Sequence, residues 1–205
     1  WVGIRSGSLG TLRIGHISSP STVLAFRTGL FRDQVGDARN AFRSETNFDL
    51  RVGNAIAYGN TFGPVGLDLY YVTNFDTPNY SGGAQVDGDQ AMYGLGLSFA
   101  QGGLWTGFTY ERHEDAFGVL GEPGTLDRTA ALRDAESYRV GASYRVGGFR
   151  IAGMAEYGNQ YYPVAAAVFG GGESVDHWTA GGGVSYTMGR VTLKTQAYMT
   201  EVDTD

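Results

Sequence analysis

The chain has 205 residues, with 15 Lys and Arg against 21 Asp and Glu and a formal charge of −6. That acidic balance excludes a nucleic-acid binder, which needs a surplus of cations on one face. Glycine, at 33 residues, exceeds twice its usual share, charged residues fall to 18% and aromatics reach 13%. Such a chain is neither a disordered polymer nor a helical bundle.

The chain opens at Trp1 on strand-like sequence with no initiator Met, which predicts a processed or truncated start. Strict alternation then recurs along its length. Leu67, Leu69 and Tyr71 oppose Asp68, Tyr70 and Val72; Tyr138, Val140 and Tyr144 oppose Arg139, Gly141 and Arg145. Val191, Leu193 and Met199 oppose Thr192, Lys194 and Tyr198. Period two over nine or ten residues predicts long strands with one apolar and one polar or small face. They fall near residues 1–6, 10–16, 50–60, 66–74, 90–100, 104–113, 137–146, 149–157, 177–187 and 190–199. The charge-free run Gln90–Tyr110 is long enough for a spanning helix, but Gln101-Gly102-Gly103 divides it into two strands and a turn.

Links between these strands alternate between tight turns and long polar segments. Turns lie at Ser6–Leu9, Thr61–Val65, Gln101–Gly103, Gly147-Gly148 and Met188-Gly189; long links lie at Ile17–Phe48, Phe75–Asp89, Glu114–Glu136 and Gly158–Asp176. Alternating link lengths, strands long enough to cross a bilayer and aromatics at strand ends predict an all-β transmembrane antiparallel barrel. A soluble β-sandwich or lipocalin-like barrel has shorter strands.

Residues 1–72 carry a more specific pattern. Trp1-Val2-Gly3-Ile4 followed by Leu9-Gly10-Thr11-Leu12-Arg13-Ile14-Gly15 resembles the "FVGL…FGTVRLG" hairpin of Gram-negative general porins. Gly15-His16-Ile17-Ser18-Ser19-Pro20 is similar to the "GRxxTP" that opens the family's constriction loop, with His16 in place of Arg and Ser19 in place of Thr. Phe31-Arg32-Asp33 and Val35–Arg39 resemble the loop tip, and Arg51–Tyr58 the returning strand. The resemblance implies an outer-membrane porin, a homotrimer of sixteen-stranded barrels in contact with membrane lipid and lipopolysaccharide. Residues 1–205 then form a single partial barrel domain running from about the fourth to the thirteenth strand, with 17–48 as the inserted constriction loop. The implied function is a water-filled channel for passive diffusion of small hydrophilic solutes and ions, without a cofactor or a nucleic-acid partner.

A porin needs a narrow wet aperture with a shaped field. Parity places Arg5, Arg13 and Arg51 beside small residues on the lumen face, as a basic wall. The inserted loop offers Asp33, Asp37 and Glu45 as the acidic side; the plainer alternative makes Phe31–Asn40 a short helix in which Asp37 and Arg39 pair locally. His16 reads as a bystander loop histidine.

Enzymatic signatures are scarce. His16, His113 and His177 lie far apart and form no HxxxH or HxH pair, which gives no support to a metal site. His113-Glu114-Asp115 reads as a solvated loop triplet, and Gly181-Gly182-Gly183 as a stretch of strand on which another element packs closely. The rival reading of a different class is a non-transporting barrel or adhesin whose long loops bind partners.

Overall fold

A computed structural model describes residues 1–32, 34, 36–38, 48, 51–73, 91–117, 133–161 and 174–203. They form one antiparallel sheet of ten strands in which every strand pairs with its neighbours in sequence. The strands are β1 (Val2–Ser6), β2 (Gly10–Ser18), β3 (Arg51–Phe62), β4 (Val65–Thr73), β5 (Ala91–Gln101), β6 (Leu104–Phe117), β7 (Arg133–Val146), β8 (Phe149–Tyr161), β9 (Ser174–Met188) and β10 (Val191–Asp203). All ten predicted strands are present. Those flanking two of the long links run further than alternation alone suggested, to Phe117, Arg133, Tyr161 and Ser174. His113 is therefore a fully buried residue of β6, which corrects its reading as part of a solvated loop.

Tight turns close one end of each hairpin. At Gly102-Gly103 both residues have positive φ, 58° and 87°, the left-handed conformations that suit a two-residue turn to strand twist. No described helix is long and apolar enough to cross a membrane.

The two faces of the sheet differ sharply. Val140, Ile151, Val191 and Leu193 are 52–60% exposed on the outer face, with Leu69 and Leu97 beside them. A folded chain in water does not leave such a continuous apolar surface uncovered. Aromatic pairs mark both borders of this band. Tyr71–Tyr93 and Tyr110–Tyr138 lie toward the long links, with ring centroids 5.2 and 5.1 Å apart; Phe149–Tyr186 stacks at 4.2 Å beside the short turns. These are the positions of membrane-interface girdles.

The inner face holds the core, and α1 (Pro20–Thr28) lies on it. The sheet curls around this helix, which packs against β4, β5, β6, β7 and β8. Its start follows from sequence: Ser19 is the N-cap, its hydroxyl accepting from Thr22 N–H, and Pro20 stands at the first turn. Even so, this helix was not expected from sequence; of the Phe31–Asn40 stretch, Ala38 is helical and residues 33, 35, 39 and 40 lie outside the described residues.

Candidate functional site: the inner wall and its inserted segment

The approach of α1 to the wall is set by missing side chains. A Cβ at Gly94 would stand 3.0 Å from Pro20 Cδ, one at Gly96 3.1 Å from Pro20 Cβ, and one at Gly141 2.8 Å from Thr28 Cγ2. Three glycines on β5 and β7 thus form the bed of the helix. The Gly181-Gly182-Gly183 stretch works similarly: Tyr198 and Gln196 of β10 lie across Gly181 and Gly183. The close packing expected there is supplied by side chains of the neighbouring strand.

Polar side chains fix the root of the inserted segment. The guanidinium of Arg139 donates through Nε to Glu156 Oε2 at 2.7 Å and through NH1 to the Ser21 carbonyl at 3.0 Å. Ser137 donates to the same Glu156 oxygen at 2.9 Å, and His177 Nε2 stands 3.5 Å from its Oε1. Nearby, His113 Nε2 is 2.9 Å from Glu111 Oε1, and the His113 ring lies 4.7 Å from that of Phe48. The Ser21 and Thr109 hydroxyls meet at 3.1 Å. All these groups are buried, so their mutual hydrogen bonds replace lost hydration. Sequence reasoning missed this network. Its only signal was Arg139, Glu111, Glu156 and His177 on strand faces otherwise built from small residues.

Beyond α1 the segment crosses to β10. Gln196 grips it on both sides, its Oε1 accepting from Leu30 N–H at 3.1 Å and its Nε2 donating to the Gly36 carbonyl. Lys194 Nζ donates to the Leu30 carbonyl at 3.0 Å and lies 5.0 Å from the Phe31 ring. The described residues between 19 and 38 therefore arch over the inner face from β2 to β10, with Val23, Arg27 and Arg32 exposed on the arch.

The residues expected to shape the aperture separate. Arg5 and Arg13 are on the inner face: Arg5 pairs with Thr11, and Arg13 lies on β2 between Thr11 and Gly15. Arg13 NH2 stands 3.4 Å from Asp68 Oδ1 of β4, reaching across β3 at Gly59, where a Cβ would lie 2.8 Å from that oxygen. Arg51 does not join them. The register shifts between Gly15 and Ile17, and Asn54 takes φ 54° as the extra residue of a β-bulge. Past the bulge Ile17 pairs with Val52, and both pack in the inner core. Arg51, one residue on, is turned to the opposite face, which corrects the placement that parity had given it. There its carbonyl accepts from His16 Nε2 at 2.8 Å.

Asp37 is buried in a turn beside β10, its N–H donating to the Gln34 carbonyl at 2.9 Å. It stands near the Tyr198 hydroxyl, whereas the carboxylate partner of Arg13 is Asp68. Asp33 and Glu45 lie outside the described residues. Among the described residues no group of His, Asp or Glu is placed to hold a metal ion.

An apolar outer face with aromatic borders, tight turns at one end and a segment folded onto the inner face compose the wall of an outer-membrane barrel. No curated protein sequence matches the chain. A family model described as Gram-negative porin matches residues 1–205. Spanning the whole sequence, that match places the chain in the Gram-negative porin family, proteins of the bacterial outer membrane.

Proposed function

We propose that this porin forms a water-filled channel through which small hydrophilic solutes and ions diffuse passively. One observation carries the reading. The inserted segment is bound to the inner face at Ser21 and at Leu30, on a wall whose outer face suits lipid. In the proposed aperture Arg5 and Arg13 supply the basic wall. Asp68 and the segment carrying Asp33, Asp37 and Glu45 supply acidic groups. Opposed charges in a narrow wet space orient dipolar solutes and disfavour apolar ones. Assembly as a homotrimer among lipid and lipopolysaccharide goes with this reading, since porins of this kind act in that setting.

Planar-bilayer recording of the full-length protein tests it. Discrete ohmic steps, together with swelling of protein-loaded vesicles in small sugars, are expected. A protein that inserts and melts as a folded trimer yet passes neither ions nor sugars would overturn the channel reading.

A further inference from the structure

Four residues stand directly opposite one another across the last four strands. Arg145 of β7 pairs with Arg150 of β8, Arg150 with Ser185 of β9, and Ser185 with Lys194 of β10. All four are on the inner face. Arg27 joins them from the last turn of α1, its carbonyl accepting from Arg150 NH2 at 2.6 Å. Four cations thus gather on the short-turn side of the inserted segment. Among the described residues no carboxylate pairs with any of them.

Like charges placed directly opposite in an antiparallel pair destabilise a sheet. Part of the row has a structural explanation, because α1 ends here and its terminal carbonyls favour cations. Arg150 spends one donor on such a carbonyl, that of Arg27, and Lys194 spends one on the Leu30 carbonyl, two residues past the helix. A guanidinium has five N–H donors and an ammonium three, so most of the donor set stays available. Arg145 is not explained by capping. It is exposed, and among the described residues its side chain has no hydrogen-bond partner.

We propose that this row is an anion-binding site for solutes carrying two negative charges, with inorganic phosphate as the simplest ligand. The inference rests on the channel reading only for its biological use, as a place where anions are held while crossing. Directly opposed residues have Cα atoms about 5 Å apart, so one phosphate can bridge Arg145 and Arg150. Each guanidinium can present two parallel N–H groups to its oxygens. Ser185 adds a hydroxyl donor, and Lys194 and Arg27 add charge. Chloride satisfies fewer of these donors and neutralises half as much charge.

The test measures binding apart from conduction. Full-length protein in detergent is titrated into inorganic phosphate, and the phosphorus NMR line is followed at constant ionic strength. Broadening is expected with wild type. With Arg145→Gln the midpoint should rise roughly two- to fivefold, the scale of one solvent-exposed charge contact, while the thermal melt stays unchanged. Arg145→Lys, which keeps charge but loses the fork, should fall between the two. Equal broadening by wild type and Arg145→Gln, or none beyond that seen with a porin-free micelle, would overturn the site. Phosphate binding by a protein that fails to conduct would leave the site standing and overturn the channel reading. Conduction without binding would do the reverse.

Discussion

Arg139 on β7 and Ser21 in the first turn of α1 are joined by a hydrogen bond from guanidinium to carbonyl, at 3.0 Å and with both residues buried. The same guanidinium is paired with Glu156, so one side chain links two wall strands to the inserted segment. Removing one partner of a buried ion pair leaves an uncompensated charge, at a cost of about 3–5 kcal/mol, while replacing both by apolar groups is often neutral. Arg139→Leu and Glu156→Leu should each lower the denaturation midpoint strongly. The double variant should lose less than either single one. A double-mutant cycle in detergent checks this, and additive losses would show that the pair is not coupled.

The glycine bed predicts a steric result. At Gly141 a side chain meets Thr28 and Leu24 within 3 Å, whereas one at Gly53 meets nothing within 4 Å. Gly141→Val should destabilise by about 1–3 kcal/mol, the usual cost of overpacking, and shift single-channel conductance by moving α1. Gly53→Ala should leave conductance unchanged. Equal conductance in both variants would mean that the helix does not set the aperture.

Arg13 and Asp68 predict opposite shifts of selectivity. Both are partly exposed, so their pairing contributes only about 0–1 kcal/mol, and charge removal should act on permeation more than on stability. Arg13→Gln should move reversal potentials toward cations and Asp68→Asn toward anions. Both shifts should shrink at high salt, where the Debye length falls below its physiological ~8 Å. Arg51→Gln, with the side chain on the other face, should change little. A shift from Arg51→Gln as large as that from Arg13→Gln would contradict the assigned register.

The outer face gives a depth-dependent prediction. Val140 stands near the middle of β7, between Tyr138 and Tyr144. Val140→Arg should cost about 2–4 kcal/mol in a bilayer, measured as the unfolding free energy in lipid vesicles. The same substitution at Val146, beside a turn, should cost much less. Similar losses at the two sites would place the lipid band elsewhere on the wall.

Strand parity carried most of the wall. Alternation over residues such as Tyr138–Val146 reports a face directly, because successive side chains of a strand point to opposite sides. The same rule misplaced Arg51, since one extra residue at the Asn54 bulge inverts parity and leaves no mark in the pattern of apolar residues. The helix start at Ser19-Pro20 was not drawn from the sequence, although a Ser cap followed by Pro is a signal for one. The polar network behind α1 was not legible, since it joins Ser21 to Arg139 across 118 residues. Such a contact is visible only after the strand order is known. Gln196, an ordinary polar strand residue in sequence, gains its part only from standing opposite the segment's tip.

The separation between Leu30 and Gln196, 166 residues, bears on how the molecule is put together. Every strand finds its partner next to it in the chain, so the wall can grow one hairpin at a time through contacts of short sequence range. Contacts of long range carry the larger loop-closure cost and form late. The arch cannot be fastened at its far end until β10 has been added. A chain stalled before that strand would therefore hold the inserted segment at its root, through Arg139 and Ser21, with Leu30 unfastened.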